Sequence, residues 1–234
     1  MLFEHTYETR YGDYKTTKEI KPSVVMDMVQ DIATKHSEKC GYDMDTMEAR
    51  KQAWLLQGVK AHFDQPVKTN MPITLKTAVK SMRGSTSPRC CYIFQDGICI
   101  GKTIANWFLL DTEKIKPIRI PQEMADNYDY DSFDEEFFNY KKTSIEEAPA
   151  LYTIRVCNKE IDTNHHLNNQ KSAELLMDAL PFDYFFTDMN VFYKHQAYLG
   201  DELEVCMKEI ENGYYVHLQT KDKVVCVAGT FERR

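Results

Sequence analysis

The sequence predicts an α+β protein in which one unit, a long helix laid on an antiparallel sheet, occurs twice. Three observations carry this expectation: an amphipathic helix followed by alternating apolar strands near the start, the same succession from about residue 149, and a residue-against-residue match between the two rounds.

The chain opens as a strand, because Phe3, His5, Tyr7 and Thr9 alternate with Glu4, Thr6 and Glu8. Lys21-Pro22-Ser23 starts a helix, proline being suited to the first helical position. Val24, Val25, Met28, Ile32 and Ala33 recur at spacings that make one apolar face, continuing to about Lys39, and Gly41 ends it. Strands are expected at Ala53–Phe63, Ile73–Val79, Cys90–Phe94 and Ile98–Leu110, separated by turn signals at Pro66, Asn70, Gly84 and Asp96-Gly97. Asp-Gly between apolar runs is the strongest hairpin signal of these.

The second round begins with a strand at Leu151–Val156, passes through a polar loop, and enters a helix from about Asn169 to Ala179. Strands follow at Asn190–Ala197, Glu202–Ile210, Tyr214–Gln219 and Val224–Phe231, with Asn212-Gly213 as a tight hairpin signal. Laying Val59–Leu75 on Met189–Val205 pairs Phe63 with Tyr193, Asn70 with Gly200, Ile73 with Leu203 and Leu75 with Val205. The pattern marks duplication of a unit of roughly 100 residues. The expected organisation is an N-terminal unit over 1–125, an acidic linker over 126–148 and a C-terminal unit over 149–234. The whole stretch Asp111–Pro149 is rich in charge and tyrosine, with Asp129, Asp131, Asp134, Glu135 and Glu136 close together, and reads as a solvated connection with some local helix in preference to a docking segment.

The 234 residues are 43% hydrophobic, enough for a core in each unit. Seven cysteines lack metal-ligand spacing, and the adjacent pair Cys90-Cys91 would point to opposite strand faces, so reduced thiols are expected. Charges interrupt the apolar residues of the N-terminus, and no long uncharged apolar run follows, so neither a signal peptide nor a membrane span is expected and the cytoplasm is the natural location. The formal charge of −7 argues against nucleic acid or an anionic membrane as partner, while allowing a local basic patch.

The segment Ile161-Asp-Thr-Asn-His-His-Leu-Asn-Asn169 carries the chemistry. Taken singly, Asp162 and Asn164 are ordinary turn formers and Asn168 and Asn169 ordinary helix caps. His165 and His166 could suggest a metal, but adjacent residues do not easily converge on one ion and no carboxylate-rich motif lies nearby, so no metal is expected. In combination, the segment resembles the signature of the acyl-ACP thioesterases (ACP, acyl carrier protein): Asp, any residue, Asn, any residue, His, an aliphatic residue, Asn-Asn, leading into a helix. Asp162, Asn164, His166, Leu167, Asn168 and Asn169 match. Tyr14-Lys15-Thr16-Thr17, Trp54 at the start of a strand, and Tyr193-Lys194 followed by Leu199-Gly200-Asp201 are also similar to that family.

The resemblance implies a tandem hotdog fold, with the acyl chain held by the N-terminal unit and catalytic groups supplied by the C-terminal one. It implies water attack on the thioester of an acyl group on the phosphopantetheine arm of ACP, in fatty acid biosynthesis, with no cofactor. The residue types suit this: Asp162 can orient a neighbour or accept a proton, Asn164 offers an amide donor and acceptor, and imidazoles such as His166 move protons near neutrality. The helix start after Asn168 offers backbone N–H groups to developing negative charge. Where family members often place a glutamate after the Tyr-Lys segment, this sequence has Gln196, which can hold a water but cannot take its proton, leaving Asp162 or His166 as base. Ala197 stands where some plant members have cysteine, so a thiol mechanism has no support. Val24, Met28, Ile32 and Trp54, with Asn168 and Asn169, are the candidate substrate-binding residues, although such a helix face is also core packing in most proteins. Lys60, Lys68, Lys80, Arg83 and Arg89 are candidates to receive an acidic carrier. A homodimer is compatible with all of this. Competing functions are an acyl-CoA thioesterase, a non-catalytic acyl-thioester binding protein and, more distantly, a hotdog dehydratase.

Overall fold

The computed structural model describes residues 2–131, 137, 144–162 and 164–233, so Asp134, Glu135 and Glu136 lie outside the described residues. The chain divides into two compact units, Met1–Val59 with Asp64–Tyr140, and Lys60–Phe63 with Lys141–Arg234.

In the first unit β1 (Phe3–Tyr7) precedes α1 (Pro22–Lys39), a short α2 (Met44–Ala49), and the strands β2 (Gln52–Phe63), β3 (Ile73–Val79), β4 (Thr86–Gln95) and β5 (Ile98–Asp111). The sheet order is β1-β3-β4-β5-β2, and a two-residue strand β6 (Lys116–Pro117) pairs with β5. Pro22 takes the first turn of α1, where its missing N–H costs nothing, and Gly41 follows the helix at φ +85. The buried face is Val25, Met26, Met28, Val29, Ile32 and Ala33, laid against β1 and β3; Val24 sits at its half-buried margin. The Asp96-Gly97 turn has both residues at positive φ, as a two-residue hairpin requires, with Gln95 opposite Ile98. The sequence reading missed α2, a single short helix whose Asp43 side chain accepts from the Thr46 N–H at 2.8 Å.

The stretch after β5 is not the solvated connection expected throughout. Ile120, Met124, Ala125 and Tyr128 are buried, with Met124 in α3 (Gln122–Asp126), and they pack on Tyr42, Met47, Val79 and Leu109, with Trp54 at the margin. Charge density in the sequence concealed a small apolar set that joins this core.

In the second unit β7 (Ala150–Arg155) is followed by α4 (Asn169–Asp178), β8 (Asp188–Tyr193), β9 (Glu202–Ile210), β10 (Gly213–Thr220) and β11 (Val225–Glu232). The order is β8-β11-β10-β9-β7, all antiparallel, with α4 against β10 and β11. The strand expected to run to Ala197 stops at Tyr193, because Lys194 and His195 both donate their N–H to the Cys226 carbonyl, at 2.8 and 3.1 Å, and the chain leaves the sheet there. The β9–β10 turn is Glu211–Asn212; Gly213 is already in the strand. Its lack of a side chain serves packing, since a Cβ there would lie 2.0 Å from the Phe231 carbonyl oxygen. All seven cysteines are free thiols.

The duplication is visible in the turns that lead into β3 and β9. Asn70 and Gly200 both sit at positive φ, +61 and +89, and the paired residues Ile73, Leu203, Leu75 and Val205 are all fully buried.

Arg89, named above among candidates for the carrier surface, is only 7% exposed on β4, and its Nη1 donates to His36 Nδ1 at 2.7 Å. Guanidinium does not give up its proton, so His36 must accept and stay neutral. The imidazole is fully buried, stacked on Phe3 and edge-on to Tyr128, whose hydroxyl meets Ser37; Asp129 Oδ2 lies 3.8 Å from its Nε2. Burial first, and then Arg89, lower its pKa from 6.5 to about 4 against the opposing pull of Asp129. The unfolded chain thus binds a proton that the folded one refuses: this contribution to stability is whole above pH 6.5 and is lost as pH falls toward 4, by about 3 kcal/mol. Urea unfolding at pH 7 and at pH 4 should show a larger drop for wild type than for His36→Gln, which retains an acceptor for Arg89 but cannot be protonated. Gly213→Ala, tested in the same way at neutral pH, should cost about 3 kcal/mol through overpacking.

Candidate active site

The polar motif occupies the loop between β7 and α4. A single turn of 3-10 helix, Asn158–Glu160, leads into it, and Glu160 Oε2 accepts from the Cys157 N–H at 2.7 Å. Ile161 and Leu167 then form an antiparallel bridge that closes the loop at its base. Inside it Asp162 N–H donates to the His166 carbonyl (2.9 Å) and His165 N–H to the Asp162 carbonyl (3.1 Å), with His165 at φ +64. Asp162 Oδ1 accepts from the N–H of Asn164 at 2.8 Å and of His166 at 3.3 Å. The clasp gathers Asp162, Asn164 and His166 on one turn; Asn164 and His165 are exposed, Asp162 and His166 half-buried.

A second segment meets this loop. Leu167 N–H donates to the Ala197 carbonyl at 2.8 Å, both residues being buried, which sets residues 196–198 beside the motif. The His166 ring meets Tyr198 edge-on, centroids 5.1 Å apart at 71°, and the Tyr198 hydroxyl donates to Gln196 Oε1 at 3.4 Å. Gln196 is exposed and joins the motif through this tyrosine. Tyr198 escaped the sequence reading; its spacing of two from Gln196, which puts both on one side of an extended segment, was the available signal.

The N–H groups of Gln170 and Lys171, offered above to developing negative charge, are taken by Asn168 Oδ1, which caps α4 at 2.8 and 3.3 Å. An asparagine at this position satisfies its own helix before it can serve a ligand. Of the residues assigned to the acyl chain, Met28 and Ile32 are 8% and 0% exposed in the α1 face, and Trp54 is half-buried in the N-terminal unit. Asn169 begins α4.

The first unit contains a copy of the loop. A one-turn helix at Tyr11–Asp13 carries the same capping carboxylate, with Arg10 N–H donating to Asp13 Oδ2 at 2.7 Å, and Tyr14 and Ile20 form the basal bridge. Lys15 N–H donates to the Glu19 carbonyl, Lys18 N–H to that of Lys15, and Ile20 N–H to that of Val67, at 2.7, 3.1 and 2.8 Å; Lys18 stands at φ +63. Lys15 thus occupies the place of Asp162, and Glu19 that of His166. The backbone turn forms with a lysine where the motif has aspartate, so the carboxylate is dispensable for loop shape. This weighs against a purely structural role for Asp162.

The models of two family domains match the sequence: the acyl-ACP thioesterase N-terminal domain over residues 1–128 and the acyl-ACP thioesterase C-terminal domain over residues 142–230. An acyl-ACP thioesterase from Bacteroides thetaiotaomicron superposes with a TM-score of 0.88 at 18% identity, covering 99% of this chain and 97% of that one. The 12:0-ACP thioesterase of Umbellularia californica superposes with a TM-score of 0.86 at 14% identity, covering 100% and 97%. Identities of this order show a shared fold. No curated protein matches the chain in sequence.

Two stability measurements separate the roles of the motif residues. Asn168→Ala should cost about 1 kcal/mol through the lost cap, whereas Asp162→Ala, at a turn whose copy forms without the carboxylate, should cost less, about 0.5 kcal/mol. A far larger loss for Asp162→Ala in chemical unfolding would return the aspartate to a structural role.

Proposed function

The chain belongs to the acyl-ACP thioesterase family, a family of thioester hydrolases with the tandem hotdog fold, and from that premise we propose that Asp162, Asn164, His166 and Gln196 carry its hydrolytic chemistry. The observation that supports this best is the Asp162 clasp, a carboxylate holding the N–H groups of Asn164 and His166 on a turn whose copy forms without it.

In this reading His166 takes a proton from water as the water oxygen bonds to the thioester carbonyl carbon. Charge developing on the carbonyl oxygen is met by the amide N–H groups of Asn164 and Gln196, donors that need no proton transfer of their own. The C–S bond then breaks, the phosphopantetheine thiolate leaves with the proton held by His166, and the acyl group departs as a free fatty acid. Asp162, its Oδ1 held by the N–H groups of Asn164 and His166, supplies a fixed negative charge on the same turn as the reacting groups and is not consumed. Asn168 and Asn169 start the helix behind the motif, and we assign the acyl chain to the half-buried margin of α1 at Val24 and to Trp54, Met28 and Ile32 being closed into the core. Lys60, Lys68, Lys80 and Arg83 remain candidates for receiving the carrier, without Arg89. We place the activity in the cytoplasm; no helix among the described residues is long and apolar enough to cross a membrane.

The test is release of free fatty acid from a panel of acyl-ACP substrates, each matched by its acyl-CoA. Wild type should release acid from the carrier substrates in preference to the CoA esters. His166→Ala and Asp162→Ala should each lower kcat by about 10²-fold or more, and Gln196→Glu should raise it by adding a carboxylate beside the water. Wild-type activity that survives both alanine substitutions would remove the catalytic assignment, and binding of acyl-ACP without release at any chain length would leave a non-catalytic binding protein.

A further inference from the structure

Resting on the reading above, we propose that Tyr198 is a positioning residue of the thioester site, acting through Gln196 and His166. Nothing in the motif itself includes it. Its hydroxyl donates to Gln196 Oε1, and its ring lies edge-on against the imidazole of His166. A glutamine amide has one accepting end and one donating end. With the oxygen turned to the phenol, the NH2 group is the end left to meet a water or the thioester oxygen. Tyr198 therefore selects the face that a residue unable to take a proton can still use. The same ring limits the swing of His166, the group assigned to move the proton.

The placement comes from the fold. Tyr198 N–H donates to Asp201 Oδ2 at 2.8 Å, and the residue before it accepts the Leu167 N–H. In the duplicated loop of the first unit, Lys68 occupies the place of Tyr198 and forms an antiparallel bridge with Glu19, which occupies the place of His166. Each unit thus sets this residue across from the end of its loop, and only in the second unit are the two an aromatic ring and an imidazole. Tyr198 is 50% exposed, so the core does not account for the ring.

The experiment measures kcat and KM on one acyl-ACP substrate for wild type, Tyr198→Phe, Gln196→Ala, the double variant and Tyr198→Leu. It also follows the imidazole resonances of His166 in labelled protein. Tyr198→Phe should lower kcat by about three- to tenfold, the worth of one modest hydrogen bond, with KM unchanged. In the Gln196→Ala background the same change should add nothing, since the hydroxyl would have lost its target. Tyr198→Leu should lower kcat further and shift the His166 resonances, which Tyr198→Phe leaves in place. Tyr198→Phe with wild-type kcat, or losses that simply add in the double variant, would overturn the inference while leaving the hydrolase site intact. A wild type that turns over no acyl-ACP would overturn both.

Discussion

One backbone hydrogen bond, from Leu167 N–H to the Ala197 carbonyl, brings the motif loop and the segment carrying Gln196 and Tyr198 to the same place. Both residues are buried, so the bond is protected from competing water, and breaking it would strand two polar groups in the interior. The ring contact between His166 and Tyr198 and the bond from the Tyr198 hydroxyl to Gln196 involve only residues adjacent to its two ends. The bond depends in turn on the early end of β8, where two N–H groups converge on Cys226 and release the chain from the sheet. A strand continuing to Ala197 would have held these residues in the ladder.

The copy of this arrangement in the first unit separates scaffold from chemistry. Ile20 donates to Val67 as Leu167 does to Ala197, and the loop closes over the same bridge with the same left-handed residue near its end. The scaffold therefore tolerates Lys15, Thr17 and Glu19 as readily as Asp162, Asn164 and His166. What distinguishes the second loop is its side chains: a carboxylate turned inward on two N–H groups, and an imidazole against a phenol. The first unit keeps its own buried polar group elsewhere, in the His36–Arg89 pair between α1 and β4. There burial and the adjacent guanidinium hold the histidine neutral.

Periodicity and turn chemistry were sufficient for the elements because each rests on local physics: proline at the start of α1, alternation in the strands, Asp96-Gly97 at a two-residue turn. The Asp162–Asn169 segment was legible as a candidate site because its polar residues stand in family order on one short loop. The sequence by itself therefore determined the two-unit α+β architecture and marked the Asp162–Asn169 loop and Gln196 as candidates for the site. Only the tertiary structure decided that Asn168 spends its side chain on two helix N–H groups, that Arg89 is buried against a neutral histidine, and that Tyr198 joins Gln196 to His166. The physical reason is common to all three. Whether a polar group is available depends on which neighbours have already claimed it: for Arg89 the claimant is His36, 53 residues away along the chain, for Tyr198 the ring meets the distant His166 while the hydroxyl turns to Gln196, and for Asn168 the outcome was set only when the helix had formed.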